Sequence, residues 1–132
     1  CALPILILGL LVCNIFLKPQ VARIRPYNFQ LQEYGREITL LVKGLNDYSF
    51  PSGHTIASFE ACTVLMLHDK RLGIPATVLA ILIAFSRLYL YVHYPTDVLV
   101  SVVLGILFGI LGNLIVNAIY KKFVYKGKYI EE

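Results

Sequence analysis

The sequence has no tryptophan, a single methionine and only eight acidic residues in 132, and charged side chains make up 15% of it. So few charges cannot clothe a soluble domain of this length, and no low-complexity or polar tract marks a disordered segment. The three cysteines, Cys1, Cys13 and Cys62, are odd in number, lie in apolar segments and share no metal-type spacing. That excludes a disulfide framework and a zinc site, and leaves them as small buried hydrophobes. No internal repeat is present. Hydrophobic residues make up 58% of the chain, and its mean hydropathy is +0.70. These values describe an integral membrane protein, and the length supplies about four spans of about 20 residues each. The expected fold is all-α: a helical bundle of about four transmembrane helices, with residues 1–132 forming one membrane domain.

The net charge of +4 and pI near 9.0 do not indicate nucleic acid, because the basic residues are scattered among apolar runs rather than gathered in a stripe. Anionic headgroups and a phosphorylated substrate suit them better. The chain opens on Cys1 and enters an apolar run with no charged region before it, so it reads as continuing upstream rather than as a signal peptide.

Residues 2–17 form the first run, stopped at Lys18-Pro19, where proline lacks the amide a helix needs. A short basic connector follows, holding Arg23 and Arg25 before Pro26. Across 27–46, Tyr27, Leu31, Tyr34, Ile38, Leu41 and Leu45 recur at helical spacing between polar residues, broken at Gly35 and Gly44. This predicts one or two short amphipathic helices in the membrane interface. Ser52 is placed to N-cap a helix over 53–67, and His68-Asp69-Lys70-Arg71 makes a tight polar turn. The next span covers 72–91, where Pro75 falls in the first turn. Pro95 and Asp97 open a last span ending near Tyr120, with Gly105, Gly109 and Gly112 permitting close packing.

Three polar clusters lie at the ends of these runs, and four spans bring all three to one face: Lys18 to Pro26, Pro51 to His54, and Arg87 to Asp97. Lys70, Arg71, Lys121, Lys122, Lys126 and Lys128 fall on the other. With Lys18, Arg25 and Arg87 set aside for a site, the positive-inside rule makes that second face cytoplasmic. The clusters then face the extracytoplasmic side of the cell membrane.

Ionisable groups at membrane helix ends are costly and usually functional. Lys18, Arg25 and Arg87 offer fixed positive charge, Ser52 a hydroxyl, and Gly53 and His54 free amides at a helix N-terminus. Together these describe a phosphate-binding site. Two histidines suit phosphoryl transfer in two steps: His93 attacks phosphorus as a neutral imidazole, and His54 protonates the departing oxygen. Asp97, four residues after His93, is placed to orient that ring. No carboxylate cluster is available for a metal, so the cations themselves must stabilise the transition state, with no cofactor.

Lys18, six residues, Arg25-Pro26; Pro51-Ser52-Gly53-His54; and Ser86-Arg87, five residues, His93, three residues, Asp97 together resemble the three-part signature of the type 2 phosphatidic acid phosphatase family. The resemblance implies a metal-independent phosphatase in which Lys18, Arg25, Ser52, Gly53 and Arg87 hold phosphate, His93 becomes a phosphohistidine, Asp97 supports it and His54 protonates the leaving group. It implies a lipid phosphate as substrate: undecaprenyl diphosphate or a related isoprenoid first, phosphatidate or phosphatidylglycerophosphate as the alternative. Membrane members have six helices with the signature on the last four, so two N-terminal helices are expected to be missing here.

Two rival functions are weighed. Vanadate haloperoxidases resemble the same signature but are soluble, which the apolar spans oppose. A non-catalytic fragment binding anionic lipid would not require histidines at these spacings. Among the remaining residues, Glu60 is expected to pack between helices or find a partner rather than relay protons, and His68 to be solvated. Arg23 reads first as an interfacial anchor and second as a phosphate contact, and Tyr89, Tyr91 and Tyr94 first as an aromatic belt and second as contacts to a lipid headgroup.

Overall fold

The computed structural model describes residues 9–128, with side chains through residue 122. All of its regular structure is helical. The first helix, α1, combines a π-helical stretch Val12–Leu17 with an α-helical turn Lys18–Val21, and it stops at Ala22, whose φ of 46° is left-handed. Helix α2 is Pro26–Tyr34, α3 Gly53–His68, α4 Lys70–Tyr89 and α5 Pro95–Lys128.

Proline and aspartate set most of the starts. Pro26 and Pro95 stand at the first positions of α2 and α5, where a missing amide costs nothing. Asp69 alone separates α3 from α4 and caps the latter by accepting from the Arg71 amide at 2.8 Å. Helix α4 thus begins at Lys70 rather than Leu72, which leaves Pro75 inside the helix instead of in its first turn. The cap expected of Ser52 takes a different form. It stands at the N-cap position of α3, but its hydroxyl accepts from the Thr55 hydroxyl at 2.9 Å and makes no capping bond.

Only the first part of the 27–46 segment is helical. Gly35, at φ 61°, ends α2, with its own amide and that of Arg36 turned back onto Leu31 and Gln30 (3.1 and 3.3 Å). Beyond it the chain is irregular to Ser52. The loop is anchored by Tyr27, whose hydroxyl donates to the Leu45 carbonyl at 2.7 Å and accepts from the Leu45 amide at 2.9 Å.

Helix α3 is the centre of the bundle, with α4 along one side and α5 along the other. Phe59 and Cys62 of α3 meet Ala80 and Ala84 of α4 and Val98 of α5 in the buried core. The close approach to α5 depends on Gly105, where an added Cβ would lie 2.7 Å from the Ile56 carbonyl oxygen and 2.8 Å from Phe59 Cβ. Outward, α4 presents Leu79, Leu82 and Phe85 and α5 presents Leu99, Val103 and Leu114, all exposed as lipid-facing side chains are.

Two of the expected four spans, Lys70–Tyr89 and Pro95–Lys122, are long and apolar enough to cross a membrane. Helix α3 has 16 residues, or about 24 Å at 1.5 Å per residue. Its polar boundaries, Ser52 and Asp69, leave it short of the roughly 30 Å hydrocarbon thickness.

Candidate active site

Three irregular segments meet at one end of the bundle: 22–25 after α1, 45–52 before α3, and 90–94 between α4 and α5. They surround a cavity of about 420 Å³ lined by Lys18, Arg25, Asp47, Gly53, His54 and His93, with Leu10, Asn14, Leu45 and Ala57 completing its wall. Residues from all three clusters thus border one space.

His93 is 5% exposed, and its Nδ1 lies 2.6 Å from the Ser49 carbonyl oxygen. A carbonyl only accepts, so Nδ1 carries a proton, and in the neutral ring the lone pair is on Nε2. The Asp97 carboxylate, expected to orient this ring, stands 3.8 Å from Nδ1, outside hydrogen-bond range. The direct acceptor is a backbone carbonyl, which no residue pattern reveals. Ser49 is fixed in turn by its amide, which donates to the Arg23 carbonyl at 2.9 Å.

Asp97 is fully buried. Its Oδ1 accepts from Arg23 Nη1 at 2.6 Å and its Oδ2 from the Tyr94 amide at 3.0 Å. Arg23 also donates to Thr96 Oγ1 at 2.6 Å and lies over the Tyr94 ring, 3.9 Å from its centroid, a cation–π contact. The Arg23 side chain therefore belongs to the support of this site rather than to a headgroup anchor. One turn on from Asp97, the buried Ser101 hydroxyl donates to the Asp97 carbonyl at 2.5 Å and accepts from the Ser52 amide at 2.8 Å, tying α5 to the start of α3.

Lys18 and Arg25 border the cavity with a partner that sequence reasoning missed. Both reach the carboxylate of Asp47, Arg25 at 2.5 Å. Burial pushes that carboxyl up, but the hydrogen bonds from Lys18 and Arg25 outweigh it and hold its pKa at about 2. Burial pushes the Tyr94 hydroxyl up, opposed by the Arg23 charge.

A sequence model described as the PAP2 superfamily matches residues 1–121. The chain belongs to the PAP2 superfamily. It is 40% identical over 86 residues to a protein of Sulfolobus acidocaldarius named undecaprenyl-diphosphatase, covering 64% of this chain and 39% of that protein. It is 28% identical over 106 residues to the undecaprenyl-diphosphatase BcrC of Bacillus subtilis, covering 80% and 49%. The fold is similar to the crystal structure of a transmembrane PAP2 type phosphatidylglycerolphosphate phosphatase from Bacillus subtilis, with a TM-score of 0.67 and 30% identity over 92% of this chain and 58% of that one. The chain spans less than half the length of these curated relatives. Like that solved structure, the chain is a membrane protein with transmembrane helices.

The other PAP2 signature residues are placed as follows. Gly53 and the exposed His54 open α3 and face the cavity. Ser52 is buried beside them, outside the lining, with its amide given to Ser101. Arg87 is half-buried at the end of α4 and donates to Ser86 Oγ at 3.2 and 3.1 Å rather than to a cavity residue. Glu60 is fully buried, and neither carboxylate oxygen finds a hydrogen-bond partner among the described residues. It packs against Gly9 of the first helix. Among the described residues, no group of three or more His, Cys, Asp or Glu could hold a metal ion.

Proposed function

We propose that this chain carries the catalytic centre of a lipid-phosphate phosphatase that works through a phosphohistidine on His93. The observation that carries the proposal is the His93 Nδ1 bond to Ser49, which leaves Nε2 as a lone pair beside the cations and second histidine of one cavity.

Lys18 and Arg25 take the phosphoryl oxygens, joined by the N-terminus of α3 at Gly53 and by Arg87 once it turns from Ser86 Oγ, while Ser52 holds that N-terminus in place through Ser101. His93 Nε2 attacks phosphorus, forming the P–N bond as the bond to the leaving oxygen breaks. His54, as the imidazolium, gives that oxygen its proton. Water then attacks the phosphohistidine and yields its proton to His54, and inorganic phosphate leaves as the P–N bond breaks. Asp97 stabilises the positive charge that His93 gains on phosphorylation.

The substrate is an isoprenoid diphosphate, undecaprenyl diphosphate or a close relative. The names of two relatives support this, and the name of the similar solved structure supports phosphatidylglycerophosphate as the alternative. Leu10 and Leu45 give the cavity an apolar lip for the lipid. The site faces the extracytoplasmic side.

Phosphate release from undecaprenyl diphosphate, phosphatidylglycerophosphate and phosphatidate, measured in detergent with EDTA, tests this. The wild-type protein should release phosphate from the first substrate fastest and His93→Ala should release none. Turnover that needs Mg²⁺, or that survives in His93→Ala, would overturn the mechanism.

A further inference from the structure

Asp47 holds both phosphate-site cations that border the cavity. Its Oδ1 accepts from Arg25 Nη2 at 2.5 Å, its Oδ2 from the Lys18 ammonium, and its backbone carbonyl from Arg25 Nε at 2.9 Å. Arg25 itself is 2% exposed, and its other bonds run to the Val92 carbonyl at 2.8 Å and the Tyr48 carbonyl at 3.4 Å. A guanidinium has five N–H donors in a fixed fork. With Nε, one Nη1 donor and Nη2 engaged, Arg25 has no pair of parallel donors left for two phosphoryl oxygens. Departure of the Asp47 carboxylate frees an Nη2 donor of Arg25, beside its unused Nη1 donor, and a donor of the Lys18 ammonium.

We propose that Asp47 is a resident counter-anion of the phosphate site: substrate phosphate displaces its carboxylate from Lys18 and Arg25, and the carboxylate returns as inorganic phosphate departs. This rests on the phosphatase reading and adds a residue to it. Only the side chain has to move. The Asp47 carbonyl stays on Arg25 Nε, Leu45 is clamped by the Tyr27 hydroxyl, and the Ser49 amide is tied to Arg23. Between those fixed points the Asp47 side chain is 48% exposed at the cavity wall, free to rotate into solvent. A phosphomonoester dianion carries more charge and more acceptor oxygens than a carboxylate, so it is the stronger ligand for two cations. Protonation does not clear the way, because the same two cations keep Asp47 ionised down to about pH 2.

Displacement has a measurable cost. A ligand that needs the minor, open arrangement binds more weakly by the open fraction, so an open fraction of about one in ten weakens binding about tenfold. Without the carboxylate, phosphate binding should therefore tighten, the reverse of what losing a site-building residue does.

Titration calorimetry of inorganic phosphate into the full-length detergent-solubilised protein tests this, comparing wild type with the isosteric Asp47→Asn and with Asp47→Ala. Both variants should bind phosphate about tenfold more tightly. In the hydrolysis assay, the inhibition constant of phosphate and the KM for lipid phosphate should fall together. Phosphate binding that is unchanged or weaker in both variants overturns the proposal and makes Asp47 a scaffold for Lys18 and Arg25. If wild type binds phosphate but hydrolyses no lipid phosphate, the phosphatase reading fails, and the titration still decides the role of Asp47 in the same two ways.

Discussion

Among the described residues, Arg23 and Asp97 make the side-chain bond that spans the most sequence, 74 positions. The Arg23 guanidinium reaches Asp97, its face covers Tyr94, and the Arg23 carbonyl holds the Ser49 amide whose own carbonyl holds His93. Removing the side chain leaves the buried Asp97 carboxylate with the Tyr94 amide alone. Arg23→Ala should lower stability by about 1–2 kcal/mol, discounted because the Arg23 side chain is 36% exposed. It should also cut kcat about tenfold with KM little changed, because Arg23 does not line the cavity. Steady-state kinetics and a detergent melting curve check both, and an unchanged kcat would make Arg23 a structural strut. That Lys18, Arg25, Gly53, His54 and His93 border one space was legible because each sits at a fixed spacing within a short motif; that Ser52 and Arg87 turn to Ser101 and Ser86 instead was not. Nor were the roles of Arg23 and Asp47, because nothing local distinguishes an arginine bound to a carboxylate 74 positions on, or an aspartate bound to a lysine 29 positions back. The Ser49 carbonyl was beyond any reading of side-chain types.

Helix α3 carries the site at one end and the bundle's packing along its length, so the two are mechanically joined. Its approach to α5 is set where Gly105 meets the Ile56 carbonyl. An extra methyl there forces the helices apart, and Gly105→Ala should destabilise by about 1–3 kcal/mol. The displacement also pulls on the link from Ser101 to the Ser52 amide, so activity should fall with stability. Val103→Ala, on the exposed face of the same helix, should change neither. Melting temperature and phosphate release from the two variants side by side make the check. The starts of α2, α4 and α5 were legible to within two residues because Pro26, Pro95 and Asp69 act locally, through a missing amide or a side-chain cap. Helix α1 instead continues past Pro19 to Val21, because proline is accommodated in the first turn of its last segment. The stretch 36–46 was not legible either, because its helical spacing is genuine but Gly35 turns the chain out of the helix and Tyr27 then holds the loop at Leu45. A periodicity count contains neither constraint. The length of α3 was legible, like the helix starts, for a local reason: the sequence places a helix over 53–67 between Ser52 and the polar turn at His68-Asp69, and Gly53–His68 is helical.

At the scale of the whole molecule, charge is divided between the two ends of the bundle, and each division predicts something. The Lys18, Asp47 and Arg25 bridge ties the α1 end to the loop before α3. The folded pKa of Asp47 is depressed from 3.8 to about 2. Its contribution to stability is therefore complete above about pH 4 and is lost as pH falls toward 2. Wild type should lose stability across that window more steeply than Asp47→Asn. The second division concerns sidedness. The turn with Lys70 and Arg71 lies at the opposite end of α3 and α4 from His54 and His93. Orientation follows the placement of lysine and arginine near span ends. Once the site cations are set aside, the proposed orientation has Lys70 and Arg71 in the cytoplasm, which labelling tests. A single cysteine in place of Lys43, in full-length protein whose native cysteines are replaced by alanine, should react with a membrane-impermeant maleimide on intact cells. One in place of Arg71 should react only after permeabilisation. The opposite pattern would put the cavity in the cytoplasm, open to lipid phosphates of the inner leaflet, and would require Lys18 and Arg25 to count toward orientation as well as toward phosphate.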